Sequence, residues 1–288
     1  MASSPSSAPA AVSATEGVLR RDRAVILAGL FTVTAVAWAY MFYLVTGMDG
    51  MDGMDGMEGM DGIGASSSGL QSMAEMAAPR LQPWTGVDFV LMFVMWSVMM
   101  VAMMVPSAAP MILLFAKVQR NRERNESPFA PTSAFVLGYV LVWSAFSAVA
   151  TIGQWALHGA ALLSPRMVST SSVLGGVLLI AAGIFQWTPL KRACLRHCRS
   201  PLHFFMTEWR DGARGALKMG IRHGAYCVGC CWALMAILFV AGVMNLLWVA
   251  AIAAFVLVEK LFPRGELIGR IAGGTLLASG LVLILRVF

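Results

Sequence analysis

All five cysteines of this 288-residue chain fall between positions 194 and 231. Cysteines buried as small hydrophobes would scatter among several apolar segments, so a cluster suggests chemistry. Three of the thiols, Cys227, Cys230 and Cys231, lie in Gly224-Ala-Tyr-Cys-Val-Gly-Cys-Cys-Trp232, at the mouth of an apolar run. His223 precedes the first of them by four residues, and Met235 follows the last by four. The remaining pair, Cys194 and Cys198, stands at i and i+4 in Lys191-Arg-Ala-Cys-Leu-Arg-His-Cys-Arg199, with His197 between them. Thiols beside histidines suit soft-metal ligation or redox exchange, and both need thiolate.

The local patterns give these residues a frame. Thr188 and Pro189 read as the N-cap and first-turn proline of a short helix that Pro201 stops. On that helix Cys194, His197 and Cys198 share a face and could meet one ion. The surrounding Lys191, Arg192, Arg196 and Arg199 are expected to lower the thiol pKa values. Cys194/Cys198 and Cys227/Cys230 together could supply a tetrahedral Zn²⁺ site. Two or three of the thiolates with Met235 would instead suit linear or trigonal Cu(I).

Methionine supplies a second soft-ligand theme. Met48, Met51, Met54, Met57 and Met60 recur in phase through five Met-acid-Gly triplets. Thioethers have no pKa near neutrality and suit Cu(I) in an oxidising compartment. Glycine at every third position and mutually repelling acids predict a flexible arm; a low-complexity linker is the alternative. Farther on, Met92, Met95, Met99 and Met103 share one face of an expected helix, with Met100, Met104 and Met111 in an adjoining stripe. From Met92 to Met111 the rise is about 28 Å, close to the hydrocarbon thickness. A thioether ladder is geometrically open, as is plain packing. Pro106 and Pro110 should free the carbonyls of Ala102 and Pro106 and open a site at membrane depth.

The elements that carry these residues follow from composition. Hydrophobic residues are 58% and charged residues 12% of the chain, against about 25% charged in a soluble domain. Apolar runs at 24–45, 87–116, 131–157, 171–187, 225–241, 243–261 and 267–287 predict an all-α membrane bundle of seven helices. The 227–261 portion could instead form a re-entrant hairpin broken only at Gly242 and Asn245. Basic residues alternate sides, with Arg80, Arg166 and Arg286 as the exceptions, which places the N-terminus in the cytoplasm and the C-terminus outside. The net charge of +6 is then a topology signal and calls for no nucleic acid. Segment 1–23 reads as a disordered cytoplasmic head, 24–45 as the first helix (a signal anchor rather than a cleaved peptide), and 46–86 as an outer Met/Asp/Gly-rich loop. Residues 87–288 form a six-helix core whose Cys/His-rich loop, 188–224, faces the reducing cytoplasm, so permanent disulfides are not expected. His158 and His203 read as ordinary polar residues, Glu259 beside Lys260 as an interfacial charge pair, and Asn245 as the cap of a tight outer turn.

Three strings now carry a resemblance: Met99-Met-Val-Ala-Met-Met-Val-Pro-Ser-Ala-Ala-Pro-Met111, Thr188-Pro-Leu-Lys-Arg-Ala-Cys-Leu-Arg-His-Cys-Arg-Ser-Pro-Leu202, and His223-Gly-Ala-Tyr-Cys-Val-Gly-Cys-Cys-Trp-Ala-Leu-Met235 with Gly242-Val-Met-Asn245 and Glu259-Lys260. Over residues 84–274 the chain resembles a bacterial family of predicted metal-binding integral membrane proteins, some labelled copper chaperones. The resemblance implies a bacterial inner-membrane protein that handles a metal. Taken with the residues, the leading expectation is a protein that binds Cu(I) and passes it between sites or to a partner cuproenzyme. No nucleotide-binding loop or soluble catalytic domain is visible, and no catalytic residue is assigned. The alternatives are a membrane thiol–disulfide oxidoreductase using Cys227/Cys230 and Cys194/Cys198, or a structural subunit of a membrane oxidase complex.

Overall fold

The structure, a computed structural model, describes residues 8–55, 84–122, 127–160 and 171–287, without the side chains of 8–16 and 47–55. Its elements are all helices: α1 (Ala8–Asp55), α2 (Gly86–Arg122), α3 (Phe129–Gly159), α4 (Ser172–Trp187), α5 (Pro189–Arg199), α6 (Pro201–Glu208), α7 (Gly212–Ala236), α8 (Leu238–Ala241), α9 (Leu246–Leu261) and α10 (Gly265–Leu285). No strand occurs among the described residues.

Five stretches are long and apolar enough to cross a membrane: Gly17–Thr46, Gly86–Arg122, Phe129–Gly159, Gly212–Ala241 and Gly265–Leu285. A sixth arises if α4 and α5, bent by 64° at their junction, are taken together. The two expected spans that fall short are α4 and α9, each of 16 residues, rising about 24 Å where the hydrocarbon core measures about 30 Å. Only 17% of the apolar window is buried in α1 and in α10, against 50% in the α7–α8 stretch. α7 is therefore the central helix, and α1 and α10 are peripheral.

α1 exceeds its apolar run at both ends. Expected to begin near residue 24, it starts at Ala8, in an alanine-rich stretch with Pro9 in the first turn. It also carries the backbone of the first Met-acid-Gly triplets to Asp55, against the expectation of no stable helix there. Extending a helix adds a hydrogen bond per residue without a new nucleation step, so scattered glycines do not stop it at once.

Two glycine-lined contacts fix the bundle. Between α4 and α10 a Cβ on Gly183 would sit 2.8 Å from the Gly273 carbonyl oxygen, and one on Gly280 2.7 Å from that of Gly176. Between α3 and α7 a Cβ on Gly138 or Gly220 would strike the partner's backbone at Leu217 or Phe135. Small residues let the two helix backbones touch. α2 runs unbroken through Pro106 and Pro110. It is tied to α1 by a two-pronged ion pair, with Arg120 Nε 2.7 Å and Nη2 3.0 Å from the Asp22 carboxylate oxygens.

The 64° elbow has a local cause. Thr188 Oγ1 donates to the Phe185 carbonyl at 2.8 Å, closing α4, and accepts from Lys191 N at 3.3 Å, opening α5 at Pro189. Pro201 then starts α6 after Ser200. At the other turn Gly242 takes φ +92°, a conformation suited to glycine. Asn245 Oδ1 accepts from Leu247 N and Trp248 N, capping α9 as its sequence position suggested.

Candidate metal centre

Three helices meet at one sulfur, and a fourth joins them through a shared lysine. Cys227, in the middle of α7, is wholly buried. Its Sγ lies 3.0 Å from Lys260 Nζ of α9 and 3.1 Å from the Tyr139 hydroxyl of α3. Lys260 also donates to Ser107 Oγ of α2 at 3.0 Å. The Tyr139 hydroxyl and Ser107 Oγ both reach the Met104 carbonyl, at 3.1 and 2.9 Å. That carbonyl is two residues before Pro106 and is neither of the two, Ala102 and Pro106, that the prolines are expected to free. An ammonium can only donate, and the sulfur facing Lys260 is therefore set up to accept.

The other thiols gather around this centre. Cys230 Sγ and Cys231 Sγ donate back to the Cys227 carbonyl at 3.1 and 3.0 Å, one helical turn away. Cys198, from α5, is a neighbour of the Cys227 and Cys230 thiols. Cys194 Sγ approaches α7 where there is no side chain: a Cβ on Gly229 would stand 2.8 Å from it. All five cysteines are free thiols. His223, a turn before Cys227, is stacked on Phe135 and Tyr139 at 6.0 and 5.6 Å. Its buried Nδ1 has no hydrogen-bond partner among the described residues.

Other expected ligands are placed differently. His197 turns from the thiols, stacking on Tyr226 at 4.2 Å with Nδ1 2.9 Å from the Ala193 carbonyl. Met235, Met99 and Met103 are buried in the same core cluster as Cys227, Cys230 and Cys231. The side chains of Met48, Met51 and Met54, and all of Met57 and Met60, lie outside the described residues. Among the described residues no group of three or more His, Cys, Asp or Glu side chains is arranged to hold one ion, so the expected four-thiol zinc-type site is not assembled.

Two electrostatic expectations are corrected. The arginines and lysine around α5 do not lower its thiols. Burial, with the Cys230 thiol beside it, pushes Cys194 up. The neighbouring Cys227 and Cys230 thiols, reinforced by burial, push Cys198 well up. Three of the four nearby cations are engaged elsewhere: Lys191 on Glu259 at 2.7 Å, Arg196 near Glu266 at 3.6 Å, and Arg199 on the Phe262 and Pro263 carbonyls. Nor do Glu259 and Lys260 form an interfacial pair. Both are buried, and as helix neighbours about 100° apart they face opposite partners, Glu259 toward Lys191 and Lys260 toward Cys227. Gly265 and Gly269 leave the room Glu259 needs, since a Cβ on either would collide with it. Sequence reading missed Lys260, Tyr139 and Ser107 as neighbours of the thiols. The available signal was a lysine and a glutamate closing an otherwise apolar helix, because ionisable groups in such segments mark functional sites.

The PpoB2 family, described as copper chaperone, matches residues 93–283. The chain belongs to this family. The matched stretch includes all five cysteines, the buried methionines of α2 and the Cys227 neighbours Ser107, Tyr139 and Lys260, and it leaves out the Met-acid-Gly triplets. No curated protein and no solved structure matches the chain.

Proposed function

We propose that this copper chaperone family member is an integral membrane protein that carries Cu(I) on the Cys227-centred thiols and delivers it to a partner cuproenzyme. Membrane residence is supported by the outward apolar faces of its longest helices. Phe31 is 75% exposed, Val149 66% and Leu285 65%, an arrangement costly in water and natural in lipid. On this reading α4 and α9 cross as short spans, seven in all, with the N-terminus and α5 on the cytoplasmic side. Impermeant maleimide applied to intact cells should leave Cys198 unlabelled until the membrane is opened. Labelling from outside would reverse the orientation.

The observation that supports the cargo assignment is the buried pair Cys227 and Cys230, one helical turn apart with the Cys230 thiol on the Cys227 carbonyl, and the unpartnered His223 Nδ1 a turn before them. Cu(I) is soft, and two or three such donors suffice for it, whereas structural zinc takes four ligands in a tetrahedron. The thiols available match copper and fall short for zinc. Cys227 and Cys230 are assigned as the two ligands. Protein purified in detergent and loaded anaerobically should retain Cu(I) against a competing chelator. Cys227→Ser/Cys230→Ser should lose it while still extracting from membranes as a folded chain. Undiminished retention in that variant would place the copper elsewhere.

A further inference from the structure

A cleft of about 510 Å³ opens between α1 and α2, away from the thiols. Its walls are one stripe of each helix. On α1 the stripe includes Arg23 and Ile26, with Arg20 at its edge; on α2 it runs through Leu113 and Leu114 to Lys117. One end is thus cationic and the other apolar. Asp22 also lines the cleft, but Arg120 holds its carboxylate in the two-pronged pair. Arg20, Arg23 and Lys117 are exposed and form no ion pair among the described residues.

We propose that this cleft binds an anionic phospholipid, the phosphate headgroup held by Arg20, Arg23 and Lys117 and an acyl chain laid on Ile26, Leu113 and Leu114. The inference rests on the membrane reading above, which sets these three cations at the cytoplasmic interface, where the leaflet's negative lipids attract basic residues. Guanidinium groups match phosphate oxygens in a planar, two-pronged fashion. A soluble anion would have no use for the apolar half of the cleft, and a neutral lipid none for the three unpaired charges. The Asp22–Arg120 pair sits where it can hold α1 and α2 at a fixed separation, so that the cleft exists before lipid arrives.

The test uses the full chain extracted in a neutral detergent. It is mixed with equal amounts of phosphatidylglycerol and phosphatidylcholine bearing identical acyl chains, and bound lipid is read by native mass spectrometry. Each basic residue near a membrane surface contributes about a fivefold preference for anionic lipid. Phosphatidylglycerol should therefore be retained over phosphatidylcholine by at least about fivefold. R20Q/R23Q/K117Q should bring the ratio near one, and K117Q alone should lower it part of the way. R210Q/R214Q/K218Q, with the same loss of charge at another basic patch, should leave it unchanged. Thermal unfolding in detergent checks that each variant is folded. A preference that survives the cleft substitutions, or falls equally with the control set, overturns the site. Displacement of the lipid by millimolar inorganic phosphate would show a free-anion site and overturn the lipid assignment. A chain that needs no detergent to stay in solution would overturn the membrane reading instead, an outcome distinct from an extracted chain without lipid preference.

Discussion

Lys260 is the residue on which the thiol centre turns. Its ammonium is shared between Cys227 Sγ and Ser107 Oγ, both at 3.0 Å. A hydrogen bond to a charged group contributes about 1.5–3 kcal/mol, and removing one partner leaves the other unsatisfied. Lys260→Met keeps the length and apolar stem but ends the donation to sulfur. Cu(I) retention against a chelator should fall by about tenfold or more, with extraction from membranes unchanged. Equal retention in the variant would mean that the lysine serves packing alone. None of this was legible from Glu259-Lys260 as a dipeptide, where the nearest opposite charge is the next residue. The helix puts neighbours about 100° apart, and the partner of each is fixed by which helix lies on that side. By contrast the thiols themselves, and His223 one turn before Cys227, were visible because their spacing is local.

At the scale of elements, the backbone contact of α3 with α7 sets the register between Tyr139 and Cys227. Gly220 makes that contact possible, since a Cβ there would strike the Phe135 backbone. Gly220→Ala should force the helices apart and lower the unfolding temperature in detergent, with about 1–3 kcal/mol of overpacking strain as the expected scale. Gly153→Ala on α3, where a Cβ would meet nothing within 4 Å, should be neutral or stabilise slightly through helix propensity. Similar losses from the two would contradict a close-contact role for Gly220. Helix ends were readable from sequence wherever a cap declared them: Thr188-Pro189, Pro201 and Asn245 all do what their chemistry suggests. The far end of α1 was not, because repeats that could not start a helix are carried on from one already formed. The swing of His197 onto Tyr226 was equally hidden, since it depends on an aromatic ring from another helix.

Across the whole molecule, the buried methionines of α2 run from Met95 to Met111 through the core and pass the Cys227 cluster at Met104. We predict that they conduct Cu(I) toward the thiols through successive soft contacts. Met99→Leu/Met103→Leu nearly conserves volume, at under roughly 1.5 kcal/mol, so the chain should fold while transfer of copper to Cys227 slows. A wild-type transfer rate would leave these side chains as packing. The order in which the polypeptide is made bears on the same centre. Cys227 and Ser107 precede Lys260 by 33 and 153 residues, and Lys191 precedes Glu259 by 68. A ribosome that has just finished α7 has therefore produced every thiol but neither of the α9 charges that complete their surroundings. The centre is complete only once α9 has been made and packed, so a chain cut short before that helix carries its cysteines without the lysine that faces them and its buried Lys191 without a counter-charge.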